Sequence, residues 1–195
     1  MVGTRTRPAV VQDSGPTDAV LVLAARGGES WACEALFHRH AVRLTGLVHR
    51  LLGRHEDLED VVQDVFVAAF TQMASLDDPQ SFVKWTTSIA VRVVCKRIRR
   101  TSLLRRFGLA GKREPLDLDA FVAPTAPPDV VAELSAVYRA LDELSADERA
   151  ALVLRRVEGL SLEEVADALG VSLATAKRRL SSAEDVLCKK MEGTR

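Results

Sequence analysis

Hydrophobic residues along the chain recur with the helical period of about 3.6 residues in almost every patterned segment, and sustained strand-like alternation is absent. Glycines such as Gly53 close several of these segments, and Asp78-Pro79 is a typical helix start, with a capping side chain before proline. In the first half of the chain the pattern predicts four helices, at about 18–26, 30–52, 56–73 and 79–100. Four such helices can bury one core.

The pattern breaks between Thr101 and Asp129, where two glycines and four prolines interrupt any lasting period. This composition predicts a flexible linker and allows a short helix near 103–107. Helical periodicity returns at Val130, and the later stretches S-A-D-E and S-L-E-E are capping boxes, each of which opens a helix. The second half is expected to form four helices between 130 and 191. The chain is therefore predicted to be all-α, with two small helical domains joined by a flexible linker.

Composition is typical of a globular protein, because 47% of the 195 residues are hydrophobic and 28% are charged. The 27 basic and 27 acidic residues balance, so a nucleic-acid partner would have to recognise locally segregated charge. No apolar run approaches the roughly 18–20 residues that span a bilayer, and the N-terminus lacks the apolar block of a secretory signal. We therefore expect a cytoplasmic protein without direct membrane insertion.

The sequence contains no recognisable pattern of catalytic or metal-binding residues. The three cysteines are odd in number and far apart, which argues against a disulfide framework. Cys33, His38 and His40 share one predicted helix, but His38 lies about 140° from Cys33 around its axis, so the three cannot converge on a metal. No nucleophile–base pair, phosphate loop or carboxylate dyad is recognisable. We expect no enzyme activity, no catalytic residue, no metal and no cofactor.

Residues 159–180, GLSLEEVADALGVSLATAKRRL, predict a helix-turn-helix. A short capped helix leads through the glycine turn L-G-V-S into a second helix, the arrangement in which a recognition helix reaches DNA. The residues around its exposed first turns are the expected DNA contacts: Ser172, Ala174, Thr175, Lys177, Arg178 and Arg179. A capped helical hairpin with an incidental basic face is the alternative. The motif alone indicates DNA binding, because repressors, activators and sigma factors all carry it.

Two longer stretches point to one family. The C-terminal stretch LDELSADERAALVLRRVEGLSLEEVADALGVSLATAKRRLSSAEDVL resembles region 4 of the extracytoplasmic-function (ECF, group 4) sigma factors of the sigma-70 family. Independently, LEDVVQDVF and SFVKWTTSIAVRVVCKRIRR resemble region 2 of the same family. The resemblance implies a division of the chain into a disordered tail (1–17), region 2 (18–100), a linker (101–129), region 4 (130–191) and a terminal tail (192–195).

The region 2 resemblance implies a docking face for core RNA polymerase. Acidic and amide side chains along LEDVVQDVF would contact the basic coiled coil of the polymerase largest subunit, a charge-complementary pairing of helices. The implied contacts are Asp57, Glu59, Asp60, Gln63, Asp64 and Phe66. Without the resemblance, a solvated acidic helix face is the simpler interpretation. The resemblance also implies that region 4 contacts the polymerase flap.

The next predicted helix has the opposite charge, and the resemblance implies that it binds the minus-ten promoter element together with the preceding loop, 75–81. The implied contacts are Phe82, Lys84, Trp85, Arg92, Lys96, Arg99 and Arg100. The cations suit a phosphate backbone, and stacking of an unpaired base on an aromatic ring contributes about 1–3 kcal/mol. Core packing is the alternative for both aromatic rings.

The chain departs from the family pattern at several charged positions. Arg92 and Lys96 stand where the family usually has Asn and Asp, which favours contact with the DNA backbone over amide hydrogen bonding. Ser182 and Glu184 replace basic residues that are common behind the recognition helix. We expect weaker electrostatic attraction of region 4 to its own DNA element.

Together these implications describe a sigma factor that binds core RNA polymerase, opens the minus-ten element and reads the minus-thirty-five element. It would thereby direct transcription of a stress- or signal-responsive gene set. Promoter DNA and an anti-sigma factor wedged between the two domains are the further expected partners. Two alternatives stay open at this level: a stand-alone helix-turn-helix regulator that acts without polymerase, and a sigma-like protein that has lost promoter melting.

Overall fold

The computed structural model describes residues 15–53, 57–109 and 127–192, which form helices and their connections without a strand. The N-terminal domain contains α1 (Asp18–Arg26), α2 (Ser30–Leu52), α3 (Leu58–Thr71) and α4 (Phe82–Arg106). The C-terminal domain contains α5 (Pro128–Glu143), α6 (Ala146–Arg156), α7 (Leu162–Leu169) and α8 (Leu173–Glu192). Two short 3₁₀ turns, Met73–Ser75 and Pro79–Ser81, connect α3 to α4. The predicted all-α fold with two helical domains is confirmed.

Capping residues set most helix boundaries. At the start of α1, the Thr17 hydroxyl accepts a hydrogen bond from the Val20 amide (3.4 Å). Gly53 closes α2 in the left-handed conformation, with a φ of 69°. Ser145 and Ser161 form the two predicted capping boxes with the glutamates three residues later. These local interactions are the reason that the sequence pattern located most helices.

One helix boundary differs clearly from the predicted one. α4 continues past its predicted end near Arg100 to Arg106, because no glycine or proline interrupts the chain before Gly108, which takes a φ of 68°. The short helix expected near 103–107 is thus the last part of α4. The N-terminal residues 1–14, residues 54–56 with the predicted start of the third helix, linker residues 110–126 and terminal residues 193–195 lie outside the described residues, so the predictions made for them stay predictions.

Aliphatic side chains of α2, α3 and α4 form the core of the N-terminal domain. Leu44, Leu47, Val61, Val65 and Val94 have no exposed surface. A second apolar cluster joins α1 to the first parts of α2 and α4, and a third holds α5, α6 and α8 together. Because burial of one large aliphatic side chain contributes about 1.5–3 kcal/mol, these clusters fix the helices whose outer faces carry the charges.

The two domains pack against each other, which the sequence pattern did not indicate. α4 lies against α6 and α7, and α2 also contacts α6. Apolar side chains from both domains share one cluster, in which Val91 and Cys95 of α4 join Ala146, Ala150 and Val165 of the C-terminal domain. This interface brings charged faces of the two domains together.

Candidate functional site

α7 and α8 form a helix-turn-helix with the geometry expected from the sequence. At the start of α7, the Ser161 hydroxyl accepts a hydrogen bond from the Glu164 amide (3.2 Å). Gly170 turns the chain at a φ of 64°, in the left-handed region that favours glycine. Val165 of α7 and Ala176 of α8 have no exposed surface. Their burial fixes the two helices and leaves the first turns of α8 at the surface.

The predicted DNA contacts of α8 differ in exposure. The exposed ones are Ser172, Ala174, Lys177 and Arg178. Thr175 is half-buried, with its hydroxyl 2.9 Å from that of Ser172. Arg179 is different, because its guanidinium lies 3.1 Å from the Asp147 carboxylate of α6 and only 24% of its side chain is exposed. The basic face that α8 presents in this conformation is therefore formed by Lys177 and Arg178.

Two residues that depart from the family pattern connect α8 to α6. The Ser182 hydroxyl donates a hydrogen bond to Glu148 Oε1 (2.6 Å). This bond, together with one from Ser145, holds the pKa of Glu148 below its ordinary value. Glu184 accepts a hydrogen bond from the Arg156 guanidinium (2.8 Å). Both departures thus form contacts within the C-terminal domain, which the charge pattern of the sequence did not suggest.

The cations of α4 form an exposed stripe and a paired stripe. The exposed stripe consists of Arg92, Lys96 and Arg100, which recur every four residues on one side of the helix. In the paired stripe, Lys84 Nζ lies 3.1 Å from Asp167 Oδ2 of α7, and Arg99 forms an ion pair with Asp147 of α6. Both of these side chains are also exposed to solvent, by 48% and 61%. Two predicted DNA contacts of α4 are therefore bound to the C-terminal domain.

The two aromatic residues at the start of α4 lie at different depths. Phe82 has no exposed surface, and its ring centroid lies 5.2 Å from that of His40. Trp85 is partly exposed, with its ring centroid 6.2 Å from that of Phe82. Of the two rings, Trp85 alone offers surface to a base in this conformation. Direct contact between Phe82 and DNA stays a prediction that requires the ring to leave the core.

The loop before α4 is exposed and is held by hydrogen bonds to one carboxylate. Asp78 accepts bonds from the Ser81 hydroxyl (2.8 Å) and the Gln80 amide (3.0 Å). These bonds, the one from Ser81 first, lower the pKa of Asp78. The carboxylate is therefore ionised at neutral pH, and its negative charge disfavours a phosphate at this position.

α3 presents an acidic face beside an apolar groove. Four of its predicted polymerase contacts are exposed: Glu59, Asp60, Gln63 and Asp64. Asp57, just before α3, instead pairs with Arg97 of α4 (2.7 Å), and hydrogen bonding to this carboxylate raises the pKa of Arg97. Phe66 is buried and lines a groove of about 480 Å³ with Phe37 and Phe70. Such a groove with a carboxylate rim suits a partner helix that carries apolar and basic side chains.

The residues considered as metal ligands lie in different surroundings. His40 is buried, with Nε2 2.9 Å from Asp18 Oδ2, whereas His38 is exposed at the edge of the Phe37 ring. Among the described residues, no group of three or more His, Cys, Asp and Glu side chains could hold a metal ion. Within the same part of the chain, no helix is long and apolar enough to cross a membrane.

Comparison with known families covers both domains. The family model for Sigma-70 region 2 matches residues 36–103, and the one for Sigma-70, region 4 matches residues 134–185. Over 174 residues the chain is 30% identical to the ECF RNA polymerase sigma factor SigM of Mycobacterium tuberculosis, a match that covers 89% of this chain and 84% of that protein. The chain belongs to the ECF RNA polymerase sigma factors.

Two further similarities agree with this assignment. This sigma factor is 32% identical over 178 residues to the ECF RNA polymerase sigma factor SigE of Mycolicibacterium smegmatis, a match that covers 87% of this chain and 66% of that protein. It also resembles the solved structure of CnrH in complex with the cytosolic domain of CnrY, with a TM-score of 0.64 and 25% identity over 91% of this chain and 99% of that chain. As a member of the family, it is a DNA-binding factor that directs transcription initiation.

The functional candidates that the sequence did not reveal lie where the two domains meet. They are Asp147, Arg149, Glu158 and Asp167, each of which contacts a residue of the N-terminal domain. In the sequence, Asp147 is an ordinary acidic residue in the first turn of a helix, where its negative charge interacts favourably with the helix dipole. No local signal distinguishes it from a solvated side chain, so only the packed structure identifies its partners.

Proposed function

We propose that this sigma factor is a group 4 ECF factor in which α3 binds core RNA polymerase while α4 and α8 bind the minus-ten and minus-thirty-five elements. The supporting observation is charge segregation. A chain of zero net charge carries one exposed acidic face on α3 and exposed basic faces on α4 and α8. A factor that holds both a polymerase and a DNA duplex needs such segregation, because the two partners attract opposite charges.

The face of α3 supports docking onto the basic coiled coil of the polymerase largest subunit. Asp60 and Asp64 supply exposed negative charge four residues apart on one side of the helix. Opposite charges accelerate and orient association, while apolar contacts such as the Phe66 groove slow dissociation. Asp57 would join the contact by exchanging its partner Arg97 for a polymerase cation. Region 4 contacts the polymerase flap in the same complex.

Exposed cations support the two DNA contacts. On α4, the stripe of Arg92, Lys96 and Arg100 suits a phosphate backbone, and Trp85 offers a ring for stacking of an unpaired base. On α8, Lys177 and Arg178 lie in the first turns after the helix-turn-helix glycine, the position from which a recognition helix enters the major groove. We assign the minus-ten element to α4 and the minus-thirty-five element to α8.

The remaining parts of the proposal concern the setting in the cell. The protein acts in the cytoplasm on a stress- or signal-responsive gene set, and the polymerase rather than this chain performs the bond chemistry. The sigma factor RpoE of Bartonella quintana, whose structure resembles this chain, was solved in complex with the anti-sigma factor NepR, which supports control of this sigma factor by a bound anti-sigma protein.

Charge reversal on α3 tests the polymerase contact. Asp60→Lys combined with Asp64→Lys should reduce co-purification with core RNA polymerase by more than about tenfold, because attraction across the contact becomes repulsion. Glu163→Lys, at an exposed position on α7, is the matched control and should bind polymerase as the unaltered chain does.

Two outcomes would favour the alternatives. If the double variant retains both DNA binding and gene regulation, the chain acts as a stand-alone helix-turn-helix regulator. If the unaltered chain binds polymerase but permanganate detects no melted promoter bases, it is a sigma-like protein without melting activity.

A further inference from the structure

One arginine of α1 holds the chain that leads into the predicted minus-ten loop, 75–81. Arg26 lies in the last turn of α1, and its guanidinium Nε donates a hydrogen bond to the Met73 carbonyl (3.1 Å). Its Nη2 donates a second hydrogen bond to the Leu76 carbonyl. Because the guanidinium is a rigid planar fork, these two bonds fix the positions of two peptide groups relative to each other.

α1 is itself fixed, so Arg26 has a rigid support. At the other end of this helix, the Asp18 carboxylate lies 2.9 Å from both Arg39 Nη1 and His40 Nε2 of α2. Between the two ends, Leu21 and Val22 have no exposed surface and pack in the apolar cluster that reaches the start of α4. The two bonds from Arg26 therefore connect the loop to the same framework that positions α4.

Apolar contacts hold the same segment by its side chains. Met73 and Leu76 are each only 4% exposed, and both pack in the cluster that contains Leu21 and Val22. Apolar burial is non-directional and does not fix the orientation of a peptide group, whereas a hydrogen bond to its carbonyl does. Arg26 thus determines where the exposed part of the loop, which begins at Asp77, leaves the surface of the domain.

The exposed part of the loop carries hydrogen-bond acceptors and no cation. Asp77, Asp78 and Gln80 are all exposed. Carboxylates repel phosphates, but they accept hydrogen bonds from the amino groups of bases. Because such a bond forms only at donor–acceptor distances of about 2.7–3.2 Å, a displacement of the loop by about an ångström is enough to lose it. The loop is therefore suited to select a base, and its selectivity depends on its position.

We propose that Arg26 is a positioning residue for minus-ten recognition: by holding the Met73 and Leu76 carbonyls, it places residues 77–80 where they select a base. The inference rests on the proposed function, because it takes the start of α4 and the loop before it as the minus-ten surface. Arg26 acts through the loop and needs no contact with DNA. Its loss should therefore reduce discrimination among minus-ten sequences, whereas loss of a phosphate contact weakens binding to all sequences alike.

Hydrogen exchange of the free full-length chain, followed by mass spectrometry, measures how firmly the loop is held. Arg26→Gln keeps a helix-forming side chain but removes the guanidinium fork, and it should accelerate exchange of the amides in 75–81 about three- to tenfold. Arg26→Lys keeps the charge but supplies only a point donor, so its exchange rate should be intermediate.

Arg155→Gln is the matched control. Arg155 also donates a hydrogen bond to a main-chain carbonyl, that of Leu160 (2.7 Å), but it does so in the C-terminal domain. This control variant should leave exchange in the loop unchanged. Circular dichroism verifies that each variant keeps its helix content. Unchanged loop exchange in folded Arg26→Gln would overturn the positioning role.

Transcription by core RNA polymerase with the same proteins, from a promoter library randomised in the minus-ten element, measures base selection. The transcript ratio between the most and the least favoured base, taken at the most selective position, should fall about three- to tenfold in Arg26→Gln, recover partly in Arg26→Lys and stay unchanged in Arg155→Gln.

The outcomes separate this inference from the proposed function. Absence of any transcript that depends on the unaltered chain would refute the proposed function, whatever the exchange rates. Normal transcription with an unchanged base ratio in Arg26→Gln, including an equal loss of transcript from every minus-ten sequence, would overturn the role of Arg26 alone. Faster loop exchange together with a lower base ratio supports both.

Discussion

At the scale of single residues, a charged side chain is available to an external partner only when it is not already paired within the chain. Arg178 and Arg179 are neighbours on α8, yet Arg178 is exposed while Arg179 pairs with Asp147. On α4 the same division separates the exposed Lys96 from Arg97, which pairs with the residue before α3. A run of basic residues in the sequence therefore overstates the number of cations that the folded chain leaves outside ion pairs with its own acidic residues.

Glu148 provides a pH-dependent prediction at this scale. Hydrogen bonds from Ser182 and Ser145 lower its pKa, so the ionised carboxylate stabilises the folded chain above the ordinary pKa of glutamate. That stabilisation is lost as the pH falls through the lowered pKa. Ser182→Ala should therefore reduce the free energy of unfolding by about 1–2 kcal/mol at neutral pH, and the difference should shrink in acid as Glu148 becomes protonated.

Urea unfolding of the full chain, followed by circular dichroism at neutral pH and below about pH 4, measures this difference. Ser181→Ala is the matched control, because it makes the same change in helix propensity at the exposed neighbouring position. Equal free energies of unfolding for the two serine variants at neutral pH would show that the bond to Glu148 contributes nothing.

At the scale of helices, local sequence signals predicted most of the structure. The capping boxes at Ser145 and Ser161 and the turn at Gly170 are formed within a few residues, so the sequence contains all their members. The end of α4 was misjudged because its last turns lack an apolar period, although nothing before Gly108 stops a helix. The pairing of Arg99 could not be predicted, since its partner lies on α6.

The exposed stripe of α4 provides a prediction for the whole helix. Arg92→Ala combined with Lys96→Ala should weaken promoter binding by the polymerase complex and reduce the slope of log K against log salt by about 1.4–1.8, because each phosphate contact contributes about 0.7–0.9. The measurement is promoter affinity across a series of potassium chloride concentrations.

Lys189→Ala, at an exposed position near the end of α8, controls for the loss of positive charge as such. Its salt slope should equal that of the unaltered chain. A double α4 variant with the unaltered slope would show that this stripe does not contact DNA phosphates in the complex.

At the scale of the whole molecule, the sequence predicted two domains but not how they meet. Arg50 and Glu158 pair across the interface although they are 108 positions apart in the chain. Arg50 and Glu158 could each equally well lie on a solvated surface, so no local sequence pattern indicates that they pair. The family resemblance had the same limit, because it assigned roles to each domain separately and gave no information on contacts between them.

Part of the charge balance of this chain is formed between its two domains. Acidic residues of α6 and α7 lie against cations of α4, so part of the charge that balances the DNA surfaces is supplied by the partner domain.

Reconstituted transcription tests the central claim most directly. Core RNA polymerase is incubated with the purified chain and genomic DNA, and the 5′ ends of the transcripts are mapped. We predict start sites that appear only when the chain is present, that share minus-ten and minus-thirty-five sequences, and that weaken with Lys177→Ala combined with Arg178→Ala. A set of start sites identical to that of core polymerase alone would contradict the account.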